Sequence, residues 1–259
     1  MIMNVKCRLC LKKAPLCNSH VIPEFFYKQM NLYSGEGGEI HRFNILSTNP
    51  NKKPAFKQKG IHEKLLCKQC EEKFSKWENY ARRVLYGGEC LEIIKDVPGV
   101  LSCKVDYEKF KLFQLSILWR VGISTYEGFS SVKLGNHENV LREMLYNEAP
   151  GSAETYGFVN FHLTKHTDIT SNAIHCMGSD YNGIPCALIM LGGSFWIFFL
   201  SEISIDSRLS EYFLQENGYL RTLMDKAPNA LNGYIESLVK DIYNANHGHL
   251  DRLGKNNQM

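Results

Sequence analysis

The chain has 259 residues, 44% hydrophobic and 22% charged, with a formal net charge of +3, a balance that excludes an intrinsically disordered polypeptide. Its length can bury a sizeable core, as one large domain or as a small one beside a larger one. Residues 1–90 carry 16 Lys/Arg against 8 Asp/Glu, and the remainder carries 14 against 19. The N-terminal third is therefore either an electrostatic footprint for a polyanion or a set of solvated basic faces.

The opening MIMNVKC lacks the apolar stretch of a secretory signal. Nine cysteines are then expected in a reducing cytoplasm, where paired cysteines bind metal more often than they form disulfides. Residues 1–30 read as a cysteine turn, a short loop and then a helix opening at Pro23 in PEFFYKQMNLY. Residues 34–60, rich in Gly, Asn, Pro and Lys, read as an exposed basic insertion. Phe74, Trp77, Ala81, Val84 and Leu85 fall on one face of a helix over 68–86. Further helices are expected over about 107–127 and 136–147, where Trp119 reads as core more readily than as a base-stacking platform. The period then changes to that of strands within TYGFVNFHLT, NAIHCMG, PCALIML and SFWIFFLS, and two more helices are expected near 207–225 and 228–245.

Residues 184–200 (IPCALIMLGGSFWIFFL) carry no charge, yet the Gly192-Gly193 break and the Ile, Phe and Trp content favour two buried strands over a membrane span. The expected architecture is α+β: a metal-held N-terminal module over 1–90, a mixed domain of helices and antiparallel sheet over 91–247, and a polar tail over 248–259. The boundary is expected near Gly87-Gly88 or Pro98-Gly99.

The most specific signal is two Cys-x-x-Cys pairs, Cys7/Cys10 and Cys67/Cys70, separated by 56 residues. Two intervening residues let one tight turn present two thiolates, and four soft ligands suit tetrahedral zinc. The second pair opens the 68–86 helix, where free N–H groups and the helix dipole stabilise thiolate. This order, knuckle first and helix-borne pair second, is that of a treble clef. Cys17 and His20 also have a legal ligand spacing. His20 is thus open to three roles: a general base, a zinc ligand with Cys17, or a structural histidine.

A Cys-x-x-Cys knuckle, then SHVIP, then HEKLLCKQCEEKF resembles the zinc-held HNH endonucleases. Their pattern is Cys-x-x-Cys, Asp-His-x-x-Pro, then Asn-Leu-x-x-Leu-Cys-x-x-Cys followed by His or Asn. It is also similar to a bacterial and phage group carrying Ser-His-(Ile/Val)-Ile-Pro and Leu-Leu-Cys-x-x-Cys-Glu. The resemblance spans roughly residues 5–85. It implies a ββα-type module, structural zinc on Cys7, Cys10, Cys67 and Cys70, His20 as the base that activates water, and His62 in the position of the middle Asn. Ser19 stands where the family has Asp, Glu71 where it has a metal-binding His, and Phe74 where many members carry Lys. Glu71, Ser75 and Glu78 share a helix face, so Glu71 and Glu78, with Ser19 as a weaker donor, are the candidates for a catalytic Mg²⁺ or Mn²⁺.

The implied function is metal-dependent hydrolysis of nucleic-acid phosphodiester bonds, DNA ahead of RNA, in phage defence or its evasion. Lys52, Lys53, Lys57 and Lys59 are candidate phosphate contacts. No membrane partner is expected, and residues 91–247 are the region for a second copy or a protein partner. The rival reading is a catalytically inactive zinc module that binds nucleic acid or a protein. A third assigns the main function, such as sensing a small ligand, to a pocket in the C-terminal region.

Overall fold

The computed structural model of the protein describes residues 5–29, 43–45, 55–57, 60–95, 98–162, 173–191, 193–201 and 207–224, together with residues 237 and 240. Strand β1 (Leu16–His20) leads past Pro23 into helix α1 (Glu24–Gln29). Strands β2 (Phe43–Ile45) and β3 (Ala55–Lys57) follow, and then β4 (His62–Cys67) runs directly into α2 (Lys68–Tyr86). The expected 68–86 helix is observed with those bounds. It buries Cys70, Phe74, Trp77, Ala81 and Val84, steps of four and three residues that lay one stripe along the helix.

Strands β5 (Ile93–Lys95) and β6 (Val100–Lys104) precede helix α3 (Tyr107–Ile123), and α4 is His137–Asn147. Asp106 caps α3, accepting from the Lys109 backbone N–H at 3.0 Å. The remaining strands are β7 (Phe158–His162), β8 (Ala173–Tyr181), β9 (Ile184–Leu191), β10 (Ser194–Phe199) and β11 (Tyr219–Met224). The uncharged 184–200 stretch carries the antiparallel strand pair β9 and β10, paired from Ser194↔Leu191 to Phe199↔Cys186.

Two sheets result. β1 and β4 form a separate two-stranded hairpin, and the other nine strands form one sheet in the order β3-β2-β8-β9-β10-β7-β11-β6-β5. The sheet is mixed rather than antiparallel throughout, because β2 runs parallel to β8 and β11 parallel to β7. Strand alternation divides its core. On β10, Trp196 and Phe198 face a cluster that also takes in α2, α3 and the hairpin, whereas Phe195, Ile197 and Phe199 face a second cluster with Leu209 and Phe213. The first cluster is continuous from Cys7 to Leu220, so the hairpin and the sheet share one apolar core.

The helix expected near 207–225 is not observed. A single turn, Ser207–Ser210, is followed by a loop and by β11. Gln215 donates to the carbonyls of Ser210 and Phe213 and ends the turn. Asn217-Gly218 then reverses the chain with Gly218 at φ +88°, where a side chain would meet the Val105 carbonyl oxygen. The helix expected over 228–245 and the 248–259 tail fall outside the described residues, apart from 237 and 240.

Helix α3 is buried almost all round, including Lys111, Gln114, Ser116 and Arg120, and packs against α2 and α4. Trp119 is core, with its ring edge-on to Phe74. Lys111 is fully buried, donating to the carbonyls of Tyr156 at 3.0 Å and Ala153 at 3.3 Å, above the Phe158 ring. Burial brings its amine down to about 7. Above that value the unfolded chain still binds a proton that the folded chain does not. This group therefore makes stability rise with pH from about 7 towards the ordinary lysine range. Urea denaturation between about pH 7 and about pH 10 should show that slope in the wild type and lose it in Lys111→Met.

Candidate metal centre and histidine hairpin

The hairpin carries the site. Its register pairs Leu16 with Cys67, Asn18 with Lys64, Ser19 with Glu63 and His20 with His62, with an irregularity between Leu16 and Asn18. Directly opposed residues share a sheet face. His20 and His62 therefore stand side by side, their ring centroids 3.9 Å apart and their planes inclined at 47°. Ser19 and Glu63 point to the other face. Gly60 lies against this end of the hairpin, where a β-carbon would come within 3.0 Å of the His20 ring and 2.5 Å of the Tyr27 ring. The Tyr27 hydroxyl accepts from the Ile61 N–H at 3.2 Å.

At the opposite end, the Cys7, Cys10, Cys67 and Cys70 sulfur atoms all lie within 4.8 Å of one another, a group that can hold a metal ion. The knuckle is a tight turn in which Leu11 N–H returns to Cys7 O, with Leu11 at φ +60°. Arg8 N–H donates to Leu65 O, which ties the knuckle to β4. Cys67 sits at the N-cap of α2, and its N–H donates to Cys7 Sγ at 3.3 Å. Burial opposes ionisation of Cys7, but the N–H groups of Cys10, Cys67 and Leu9 outweigh it and lower its thiol. Burial raises Cys10, and burial together with neighbouring thiols raises Cys70. Four crowded thiols cannot all ionise alone, and a soft dication at their centre removes that conflict. Tetrahedral zinc with bonds of ~2.3 Å sets its sulfurs about 3.8 Å apart, and Cys10 Sγ lies 3.8 Å from Cys67 Sγ. The donor set therefore fits zinc.

Cys17 lies outside this group. Its thiol is raised by burial and then by Glu71 and Cys67. Of the residues expected to hold a second cation, Glu71 and Glu78 feel each other's charge, and Ser19 and Glu78 already have protein partners. Ser19 is buried and its hydroxyl accepts from Leu66 N–H at 3.1 Å. Glu78 is ion-paired with Arg120 at 2.8 Å, and burial raises its carboxyl against the pull of that guanidinium. Glu71 has one buried carboxylate oxygen without a hydrogen-bond partner. Among the described residues, the four cysteines are the only group of three or more Cys, His, Asp or Glu ligand atoms this close together. Lys52, Lys53 and Lys59 lie outside the described residues, and Lys57 is in β3 with its side chain not described.

Two contacts around the hairpin were not anticipated. Arg120, only 2% exposed, donates to the His20 carbonyl oxygen at 2.8 Å. Glu63 accepts from the loop that follows α3. The available signal was an arginine within the apolar run ILWRVG, because a buried guanidinium requires buried acceptors. In the C-terminal region, clefts of about 560 and 420 Å³ share Ser152 and Glu216, and neither is lined by His20 or His62.

No helix among the described residues is long and apolar enough to cross a membrane. Comparisons with protein families, with curated proteins and with solved structures find no match for this chain.

Proposed function

We propose that the protein is an HNH-like, treble-clef hydrolase of nucleic-acid phosphodiester bonds, DNA ahead of RNA, with zinc on Cys7, Cys10, Cys67 and Cys70. The observation that carries this reading is the cross-strand pair His20–His62, with ring centroids 3.9 Å apart on a hairpin whose far end runs into the four-cysteine group. His20 acts as the base. One imidazole nitrogen takes a proton from water as the water oxygen attacks phosphorus. The bond from phosphorus to the leaving oxygen breaks, the leaving oxygen takes a proton from solvent, and the imidazolium returns its own. The basic N-terminal third, with 16 Lys/Arg against 8 Asp/Glu, favours a polyanionic substrate.

A Mg²⁺ or Mn²⁺ ion would supply charge stabilisation at the phosphate. The residues present do not fit a preformed site for it: Ser19 is bonded to Leu66 and Glu78 to Arg120, which leaves Glu71 as the carboxylate with an unmatched oxygen. That same observation favours a second reading, a zinc-held module that binds nucleic acid or a protein partner without cutting it. Incubation of the purified protein with plasmid DNA, single-stranded DNA and RNA separates the two readings, with Mg²⁺, Mn²⁺ or EDTA added in turn. The first predicts product strands in at least one condition. The second predicts retarded but intact substrate, or none bound.

A further inference from the structure

We propose that the C-terminal end of α3 positions the histidine pair by gripping both strands of the hairpin one residue from, or at, each histidine. This rests on the reading of His20 and His62 as the reacting pair, and it assigns roles to Arg120 and Glu63 as positioning residues.

A two-stranded hairpin of this length is marginal by itself. The cysteine group anchors it at Leu16–Cys67. Four residues of extended chain put the histidines about 13 Å from that anchor. The histidine end therefore needs a second hold, and α3 provides it on both strands. On β1, the Arg120 guanidinium donates to His20 O. The same side chain donates to Ser116 O at 3.1 Å and to Ser116 Oγ at 3.2 Å, pairs with Glu78 at 2.8 Å, and lies over the Phe74 ring at 5.3 Å. With α3, α2 and aromatic packing all fixing the guanidinium, the carbonyl it holds has little freedom, and the Cα–Cβ direction of His20 is set with it. A lysine could not serve these acceptors together, because it lacks the planar fork.

On β4, Glu63 adjoins His62. Its carboxylate accepts from Ser124 Oγ, from Thr125 N at 3.0 and 3.1 Å, from Thr125 Oγ1 at 3.1 Å and from Tyr126 N at 3.3 Å. Such a set of donors around one carboxylate fixes the pleat of β4 at that point, and so the face on which His62 stands. Arg120 and Ser124 are four residues apart, at the same side of the α3 terminus. One helix end thus sets the register of both rings. The helix comes from the C-terminal region and completes a site whose chemistry-bearing residues lie in the N-terminal one.

The test combines Arg120→Lys and Glu63→Gln with NMR of histidine-labelled, fully metal-loaded protein and with cleavage kinetics. The clamp predicts that Arg120→Lys moves the His20 ring resonances, and that Glu63→Gln does the same for His62, with metal content unchanged. It also predicts kcat lower by about ten- to a hundredfold with KM little altered, the signature of a misplaced group rather than lost binding. Wild-type histidine spectra in both variants would overturn it. Glu63→Gln keeps shape and is the safer variant for folding, so an unstable Arg120→Lys still leaves a decisive arm. If the spectra shift but no substrate is cut by any protein, the clamp stands and the hydrolase reading falls.

Discussion

With zinc on the four-cysteine group as proposed, its removal is expected to unfold the N-terminal hairpin and release the start of α2. Structural zinc contributes an apparent ~10–16 kcal/mol to the folding of small metal-held units, as much as or more than the roughly 5–15 kcal/mol that separates folded from unfolded chains. Leu66 is buried beside Cys67, and Leu9 and Leu65 lie in the same cluster, so the loss would spread into the shared core. Chelation monitored by circular dichroism should show a cooperative loss of helix signal that zinc restores. Cys67→Ser and Cys70→Ser should purify with less than one zinc per chain, whereas Cys90→Ser, at an exposed position, should keep it. Cys17→Ser should also keep it, since Cys17 lies outside the cluster. Full zinc content in Cys70→Ser would rule out the four-cysteine group as the metal site.

Arg120→Leu is expected to destabilise the protein by about 2–4 kcal/mol, because it leaves the half-buried Glu78 carboxylate without its partner. The Glu78 side chain is 22% exposed, so water makes up only part of the lost interaction. The same change strips donors from the His20 carbonyl and from Ser116 Oγ. Burial already raises the Glu78 carboxyl, and without Arg120 it would rise further. A carboxyl raised in the folded state favours folding when protonated. The deficit of Arg120→Leu should therefore shrink as pH falls through the titration of Glu78, and grow again above it. Denaturant melts of Arg120→Leu and of the double variant Arg120→Leu/Glu78→Leu check this. The double variant should recover much of the loss, since an apolar pair replaces a buried ion pair at little cost.

Helix α2 was legible to the residue because Phe74, Trp77, Ala81 and Val84 keep helical spacing without a breaker before Gly87. β9 and β10 were legible because a charge-free run is cut by Gly192-Gly193. β1 and β4 were not, because LCNSH and HEKLLC lack clean alternation, and their pairing depends on anchors at both ends. β11 was missed for a different reason. Leu209, Phe213, Leu214 and Leu220 suit a helical stripe, and Asn217-Gly218 breaks it with a turn. The four cysteines could be read from their spacing alone. The juxtaposition of His20 and His62 could not, because it follows from hairpin register across 42 positions of sequence. The contacts of Arg120 and Glu63 span 100 and about 60 positions, and no local pattern encodes them.

The most direct test of the central claim compares cleavage of plasmid DNA by the wild type and by His20→Ala, both assayed for zinc. The wild type is expected to cut the strands and His20→Ala to lose about a hundredfold or more of that activity, with zinc content unchanged. Equal cutting by the two proteins would contradict His20 as the base. The absence of cutting by the wild type on any nucleic acid, with zinc in place, would make the hairpin part of a binding module.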